Sequence, residues 1–209
     1  MVHYKLHYFD FRGRGEPIRL IFKYAGQPFE DRRIKTEDWP KCKSELKYGT
    51  IPVLEVDGKQ LGQSTAIAHY LAEKFGLAGK DEWEKAQVHE IVDYYIDVYN
   101  ELWPYFSALL GIRKGDIVAL RKDVFLPAAP RIFPQYIKQL KESKSGFLAP
   151  SGLTYVDFIV ADYLEYWVSK LEPKFMKENY PEIGEYVNKV YSLPQIKDYV
   201  KTDRAYVRF

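Results

Sequence analysis

Between Thr50 and Thr65 the chain reads TIPVLEVDGKQLGQST. Ile51–Val56 reads as one strand and Lys59–Leu61 as another, and they flank Asp57-Gly58. That dipeptide is a strong hairpin signal, because a type I′ turn needs φ > 0 at both central residues. Ser64 then caps an amphipathic helix through Ala66, Ile67, Tyr70, Leu71 and Phe75. Upstream, Val2–Phe9 is rich in β-formers and predicts a first strand, and Phe29–Ile34 a second. Between them Glu16-Pro17 opens a helical pattern, Ile18, Ile21, Phe22 and Ala25, closed by Gly26. Pro suits a first helical turn because its missing N–H has no partner there anyway. The predicted order is β-α-β-α-β-β-α, with Cys42 in the second helical segment.

Beyond Gly76–Gly79 the period changes to that of helices. Trp83–Leu110 is long and helix-periodic, with Val88, Ile91, Val92, Tyr95 and Tyr99 on one side. Residues 116–143 follow, and Pro127, Pro130 and Pro134 are expected to kink or break that run. Thr154–Leu171 predicts a third helix, and two shorter ones follow near Ile183–Tyr191 and Gln195–Lys201. Thr154-Tyr155-Val156-Asp157 is a capping box, flanked by a Leu153/Phe158 hydrophobic staple, and its Asp157 is a folding device with no catalytic role. The expectation is an α+β two-domain chain: residues 1–78 form an α/β domain and 79–209 an all-α domain.

Composition narrows the function. The 209 residues carry 31 Lys+Arg and 29 Asp+Glu, a net charge of +2, so no strong field draws the chain to nucleic acid or anionic lipid. One cysteine excludes an internal disulfide framework, a multi-Cys zinc site and a CxxC pair. The four histidines, at 3, 7, 69 and 89, show no HExxH or paired-ligand spacing, so no catalytic metal is expected. No apolar window approaches a membrane span, and the N-terminal stretch has no signal-peptide core, so a cytoplasmic protein is expected. Eighteen tyrosines, twelve phenylalanines and four tryptophans suit a filled core or an amphipathic pocket.

Five motifs then occur in order: Tyr8-Phe9; Arg12-Gly13-Arg14-Gly15-Glu16-Pro17; Asp38-Trp39-Pro40 with Lys43; Gly49-Thr50-Ile51-Pro52-Val53-Leu54; and Gln63-Ser64-Thr65-Ala66-Ile67-Ala68. With them the chain resembles the cytosolic glutathione transferases over its whole length, most closely the sigma class and its nematode members. The resemblance implies a thioredoxin-like first domain with a cis Ile51-Pro52 bond, since cis is essentially a proline phenomenon. The backbone of Ile51 would then pair with the glutathione peptide as an added strand. It implies that Tyr8 activates the glutathione thiol and that Arg14 lies near thiol and hydroxyl. Trp39 and Lys43 would hold the glycyl carboxylate, and Gln63 and Ser64 the γ-glutamyl carboxylate at a helix N-terminus. Gly49 and Thr50 belong to the same set, although Thr50 replaces a Lys or Gln common in the family. Asp97, on a long helix that would pack about a dimer two-fold, would reach the glutathione of the partner subunit. Phe9, Gly13, Trp103, Tyr105, Phe106 and the C-terminal Phe209 are expected around the electrophile, in a pocket between the domains. Asp93 and Asp97 flank Ile96 where a prostaglandin synthase relative carries an acid, so no ion site is expected. The implied reaction is attack of the glutathione thiolate on hydrophobic electrophiles by a homodimer. The other readings are glutathione-dependent prostaglandin D isomerisation, non-catalytic binding of haem or other hydrophobes, and a structural role of the lens-crystallin kind.

Overall fold

The computed structural model describes residues 2–202. Among these the chain forms two compact units, one running to Leu77 and resumed at Tyr191, the other spanning Ala78–Val190.

In the first unit β1 (Tyr4–Phe9) pairs in parallel with β2 (Glu30–Ile34) and antiparallel with β3 (Val53–Val56), which pairs with β4 (Lys59–Gly62) through the Asp57-Gly58 turn. The strand order is β2-β1-β3-β4. Alternation along β1 sends Tyr4, Leu6 and Tyr8 to one face. That face is covered by α1 (Glu16–Tyr24) and α3 (Ser64–Phe75), where the Tyr4 ring lies 5.3 Å from Phe22 and 6.4 Å from Phe75. Ile18, Leu20, Ile21 and Phe22 are fully buried, each worth roughly 1.5–3 kcal/mol of removal from water. The opposite face carries a smaller cluster of Ile34, Leu46 and Val53, closed by Trp39, Cys42 and Ile51. The short helix α2 (Trp39–Cys42) supplies two of those covers. The segment from Tyr191 is tied to this unit: the Tyr191 hydroxyl accepts from Arg12 Nη2 at 2.9 Å, and Lys23 Nζ lies 5.6 Å from the Tyr199 ring on α10 (Lys197–Val200).

The second unit is helical. Asp81 starts α4 (Glu82–Leu109) by accepting the Glu84 N–H at 2.9 Å. After α5 (Ile117–Leu120) come a π-helical turn, Arg121–Phe125, and α6 (Leu126–Ser143). Of the expected kink or break, no break occurs at Pro130 or Pro134, which lie inside α6. Pro127 sits in the first turn of α6, directly after the π turn. Helix α7 (Tyr155–Tyr163) has the predicted capping box and passes into a second π segment, Leu164–Ser169. Helices α8 (Pro173–Asn179) and α9 (Pro181–Tyr191) complete the layer. No helix among the described residues is long and apolar enough to cross a membrane.

Candidate active site

Register brings the conspicuous residues together. His7 pairs with Val53 and Val53 with Gly62, so three strands end side by side. Beyond that row lie Tyr8 and Phe9 on β1, Pro52 and Ile51 before β3, and Gln63 and Ser64 after β4. On the fourth strand Phe9 faces Ile34, from which the chain leads to Trp39 and Lys43. One end of the sheet thus collects the first-unit residues singled out by the sequence.

Tyr8 is the buried member, 6% exposed. Its phenolic oxygen accepts the backbone N–H of Arg14 at 2.9 Å. An amide dipole aimed at that oxygen favours negative charge on it. The loop reaches the ring because two residues lack a Cβ. A Cβ on Gly13, where φ is +48°, would stand 2.6 Å from the Tyr8 hydroxyl oxygen. One on Gly15 would overlap the Tyr8 ring. The Arg14 side chain is exposed and Phe9 half-buried, its ring 5.7 Å from Trp39.

The Ile51-Pro52 peptide bond is cis, as anticipated. The β1–β3 ladder ends at His7–Val53, so the backbone of Ile51 lies past its last rung. Trp39 is half-buried against the Ile34–Leu46–Val53 cluster, which gives its ring a packing role that its polar neighbours did not suggest. Lys43 is exposed, and its stem lies along Gly49: a Cβ there would be 3.3 Å from Lys43 Cε. Gln60 fastens the same loop to β4, accepting from Lys47 N at 2.8 Å and donating to Glu45 O at 3.1 Å.

One local expectation changes. Ser64 does not cap α3; it is the helix's first residue, and Gln63 is the N-cap, with φ +71° and ψ 117°. Helical bonding starts at the Gln63 carbonyl, which accepts from Ile67 N at 2.9 Å, and the Gln63 side chain makes no cap bond. A helix start has donors without intrahelical partners and the positive dipole end, the requirements of a carboxylate site. The Gln63 backbone lies in a sparsely populated region for a side-chain-bearing residue, a cost of order 1–3 kcal/mol that functional sites tend to carry.

In the second unit, Asp93 and Asp97 are exposed on α4. Trp103 is half-buried, stacked on Tyr99 at 5.3 Å and edge-on to Trp167 at 5.4 Å. Tyr105 and Phe106 are core residues, 2% and 1% exposed, both packed on Phe125. The Tyr105 hydroxyl donates to Glu172, which also accepts Arg121 Nε at 2.7 Å and Nη2 at 3.0 Å. Burial and that carboxylate push the Tyr105 phenol well above its ordinary range. The Tyr105 and Phe106 rings are both buried in the core of the helical unit. Phe209 lies outside the described residues. Among the described residues no group of three or more His, Cys, Asp or Glu is placed to hold a metal ion.

Comparison with known proteins identifies the family. The profile described as "Glutathione S-transferase, N-terminal domain" matches residues 4–73, and "Glutathione S-transferase, C-terminal domain" matches 88–203. The chain is 44% identical to "Probable glutathione S-transferase 7" of Caenorhabditis elegans over 97% of both chains, and 43% identical to "Glutathione S-transferase 1" of Ascaris suum over 96% of both. Among solved structures it is similar to a Nu-class enzyme of Haemonchus contortus (47% identity, TM-score 0.90, all of both chains). It is also similar to a monomeric transferase of Necator americanus (44%, 0.91, 99% and 100% of the chains) and to a sigma-class enzyme of Fasciola hepatica (30%, 0.88, 100% and 99%). With both family domains matched in order and relatives of this identity spanning nearly its whole length, the chain belongs to the glutathione S-transferase family.

Proposed function

We propose that this glutathione transferase uses Tyr8 to hold the thiol of glutathione as thiolate and conjugates it to hydrophobic electrophiles. A free thiol with a pKa of ~8.5 is only a few per cent ionised near neutrality. A phenol donating to sulfur stabilises the anion, and each unit of lowered pKa corresponds to ~1.4 kcal/mol. The observation that carries the reading is the Arg14 N–H on the buried Tyr8 oxygen, at 2.9 Å, at the sheet end where the helix start and the cis-proline loop also lie. No side-chain base is required. The proton lost from the thiol leaves to solvent, and the thiolate forms the new C–S bond as the electrophile's leaving group departs.

The other roles follow the chemistry of each group. Gln63, Ser64 and the α3 start bind the γ-glutamyl carboxylate, Ile51 pairs with the peptide, and Lys43 with the Trp39 indole N–H takes the glycyl carboxylate. Arg14, Gly49, Thr50 and Pro52 complete this set. Phe9, Gly13 and Trp103 are our assignments for electrophile contact. Residues 1–78 then act as the glutathione-binding domain and 79–209 as the helical one, in a cytoplasmic enzyme of the sigma-like nematode type.

The direct test is Tyr8→Phe, which keeps the ring. Conjugation at pH 7 should fall ~10- to 100-fold, about 1.4–2.8 kcal/mol, with little change in glutathione affinity and partial recovery at pH 9. An unchanged rate removes Tyr8 from the role.

We further propose a homodimer in which Asp97 reaches the α-amino group of the partner's glutathione, each site borrowing the same residue from its neighbour. The exposed carboxylate on α4 supports this reading. Mixing Tyr8→Phe chains with Asp97→Ala chains should restore one site with normal glutathione KM. A monomer in sedimentation at micromolar concentration, or no restored site, overturns it.

A further inference from the structure

We propose that Arg19 is a positioning residue for Tyr8, resting on the assignment of Tyr8 above: its buried guanidinium holds the β1–α1 loop in the shape that aims the Arg14 amide at the phenol. Arg19 lies on α1 and is 1% exposed. Its Nη2 donates to Phe9 O at 3.1 Å and its Nη1 to Phe11 O at 2.9 Å. Those carbonyls bracket the chain that leaves β1 after Tyr8 and turns toward Gly13 and Arg14. The fork is anchored from behind. Nε donates to both oxygens of Asp31 on β2, at 3.2 and 3.0 Å, and Nη1 also reaches Glu16 Oε2 at 3.3 Å. The guanidinium carbon lies 5.7 Å from the centre of the Tyr8 ring.

A lone arginine in a sheet–helix interface would be costly to bury. Here it is spread over two carboxylates and two carbonyls, and only a planar fork meets all four. The charged and titratable groups facing Arg19 are Glu16 on α1, Asp31 and Arg33 on β2, and Tyr199 on α10. Arg33 in turn pairs with Asp10 at 3.0 Å. The two guanidiniums are thus paired with three carboxylates, and a lysine at position 19 would keep the charge while losing the fork, which isolates the geometric part of the effect at Tyr8. A loop free to shift by a few tenths of an ångström would loosen the Arg14 N–H···O contact and weaken the phenol as a donor to sulfur.

The test is a double-mutant cycle of Arg19→Lys and Tyr8→Phe, read as the pH profile of conjugation at saturating glutathione with 1-chloro-2,4-dinitrobenzene. Lysine keeps the charge and loses the fork. In the wild-type background Arg19→Lys should lower the pH 7 rate about 5- to 10-fold, move the profile's midpoint upward, and change glutathione KM less than about 2-fold. In the Tyr8→Phe background it should add nothing to the midpoint. An equal shift in both backgrounds, or none in the wild-type background, overturns the proposal. An unchanged profile for Tyr8→Phe alone overturns the Tyr8 assignment itself, and Arg19 with it. Should Arg19→Lys not fold, Asp31→Asn keeps the guanidinium and removes its two-point anchor. A 2- to 3-fold loss with the same midpoint shift, absent in Tyr8→Phe, supports the proposal, and an unchanged profile overturns it.

Discussion

Asp157 and Tyr8 are both buried, each with oxygen at the end of a regular element, and their surroundings differ. Around Asp157 the carboxylate accepts Leu148 N at 2.9 Å, Thr154 N at 2.8 Å and the Tyr186 hydroxyl at 3.0 Å. Those donors come from a loop, a helix cap and another helix, and the loop itself turns through positive φ at Gly146 and Gly152. Around Tyr8 the enclosure depends on positive φ at Gly13, and nearby chain ends carry positive φ at Tyr48, Gly49 and Gln63. In the helical unit the buried polar groups satisfy one another and the nearby backbone, as Asp157 does here and Tyr105, Glu172 and Arg121 do elsewhere. The sheet unit places irregular backbone at one sheet end, where a ligand can use it. The contrast separates a folding device from a reactive one, and it makes the two ends differently sensitive to substitution.

The largest effect should be Asp157→Ala, which leaves several buried donors without their acceptor. We expect a loss of about 4 kcal/mol in denaturant unfolding at pH 5, with glutathione affinity of the folded protein unchanged. Lost affinity in protein that remains fully stable would break the contrast.

Burial pushes the Asp157 carboxyl up to about 6, against the pull of its hydrogen bonds. A folded pKa above the unfolded value means the neutral form is preferred in the fold. Its contribution is full below about pH 4 and is lost as pH rises through about 6, a span of about 3 kcal/mol. Asp157→Asn has no proton to lose, so its deficit against wild type should shrink by that amount between pH 4 and 7. A constant deficit would mean that the carboxyl is charged throughout.

Gly15→Ala sharpens the other side. Its Cβ meets the Tyr8 ring, so conjugation should fall about 30-fold, about 2 kcal/mol. Gly26→Ala is the control. At φ +63° with nothing within 4 Å of the added methyl, it should cost about 1 kcal/mol of stability and leave the rate alone. Equal rate losses would show that the loop senses general destabilisation.

The smallest effect is the most diagnostic of strain. Gln63→Gly relieves φ +71° and should raise stability by about 1 kcal/mol. Glutathione KM should rise about 5- to 10-fold. Greater stability with unchanged KM would make Gln63 a structural residue only.

Much of the first unit was legible in the sequence. The Asp57-Gly58 turn and the two flanking strands fixed the register, and register carried Tyr8, Pro52 and Gln63 to one edge. What the sequence concealed is set by tertiary context. Ser64 looks like a cap because Ser favours that position, yet the left-handed turn at Gln63 moves the helix start by one residue. Pro130 and Pro134 look like breaks, yet α6 runs through both. Trp103, Tyr105 and Phe106 lie close together on α4, and only packing tells the half-buried indole from the two filled core positions. Arg19 gave no signal, because a charged residue in an apolar helix pattern reads as solvent-facing until its partners on β2 and the loop are known.

The most direct measurement is the ultraviolet titration of the thiol of bound glutathione in the wild type and in Tyr8→Phe. We predict a thiolate midpoint at least one unit below the free value of ~8.5 in the wild type, rising by about one unit or more when the hydroxyl is removed while glutathione stays bound. The same midpoint in both proteins would contradict the claim that the Tyr8 hydroxyl ionises the thiol.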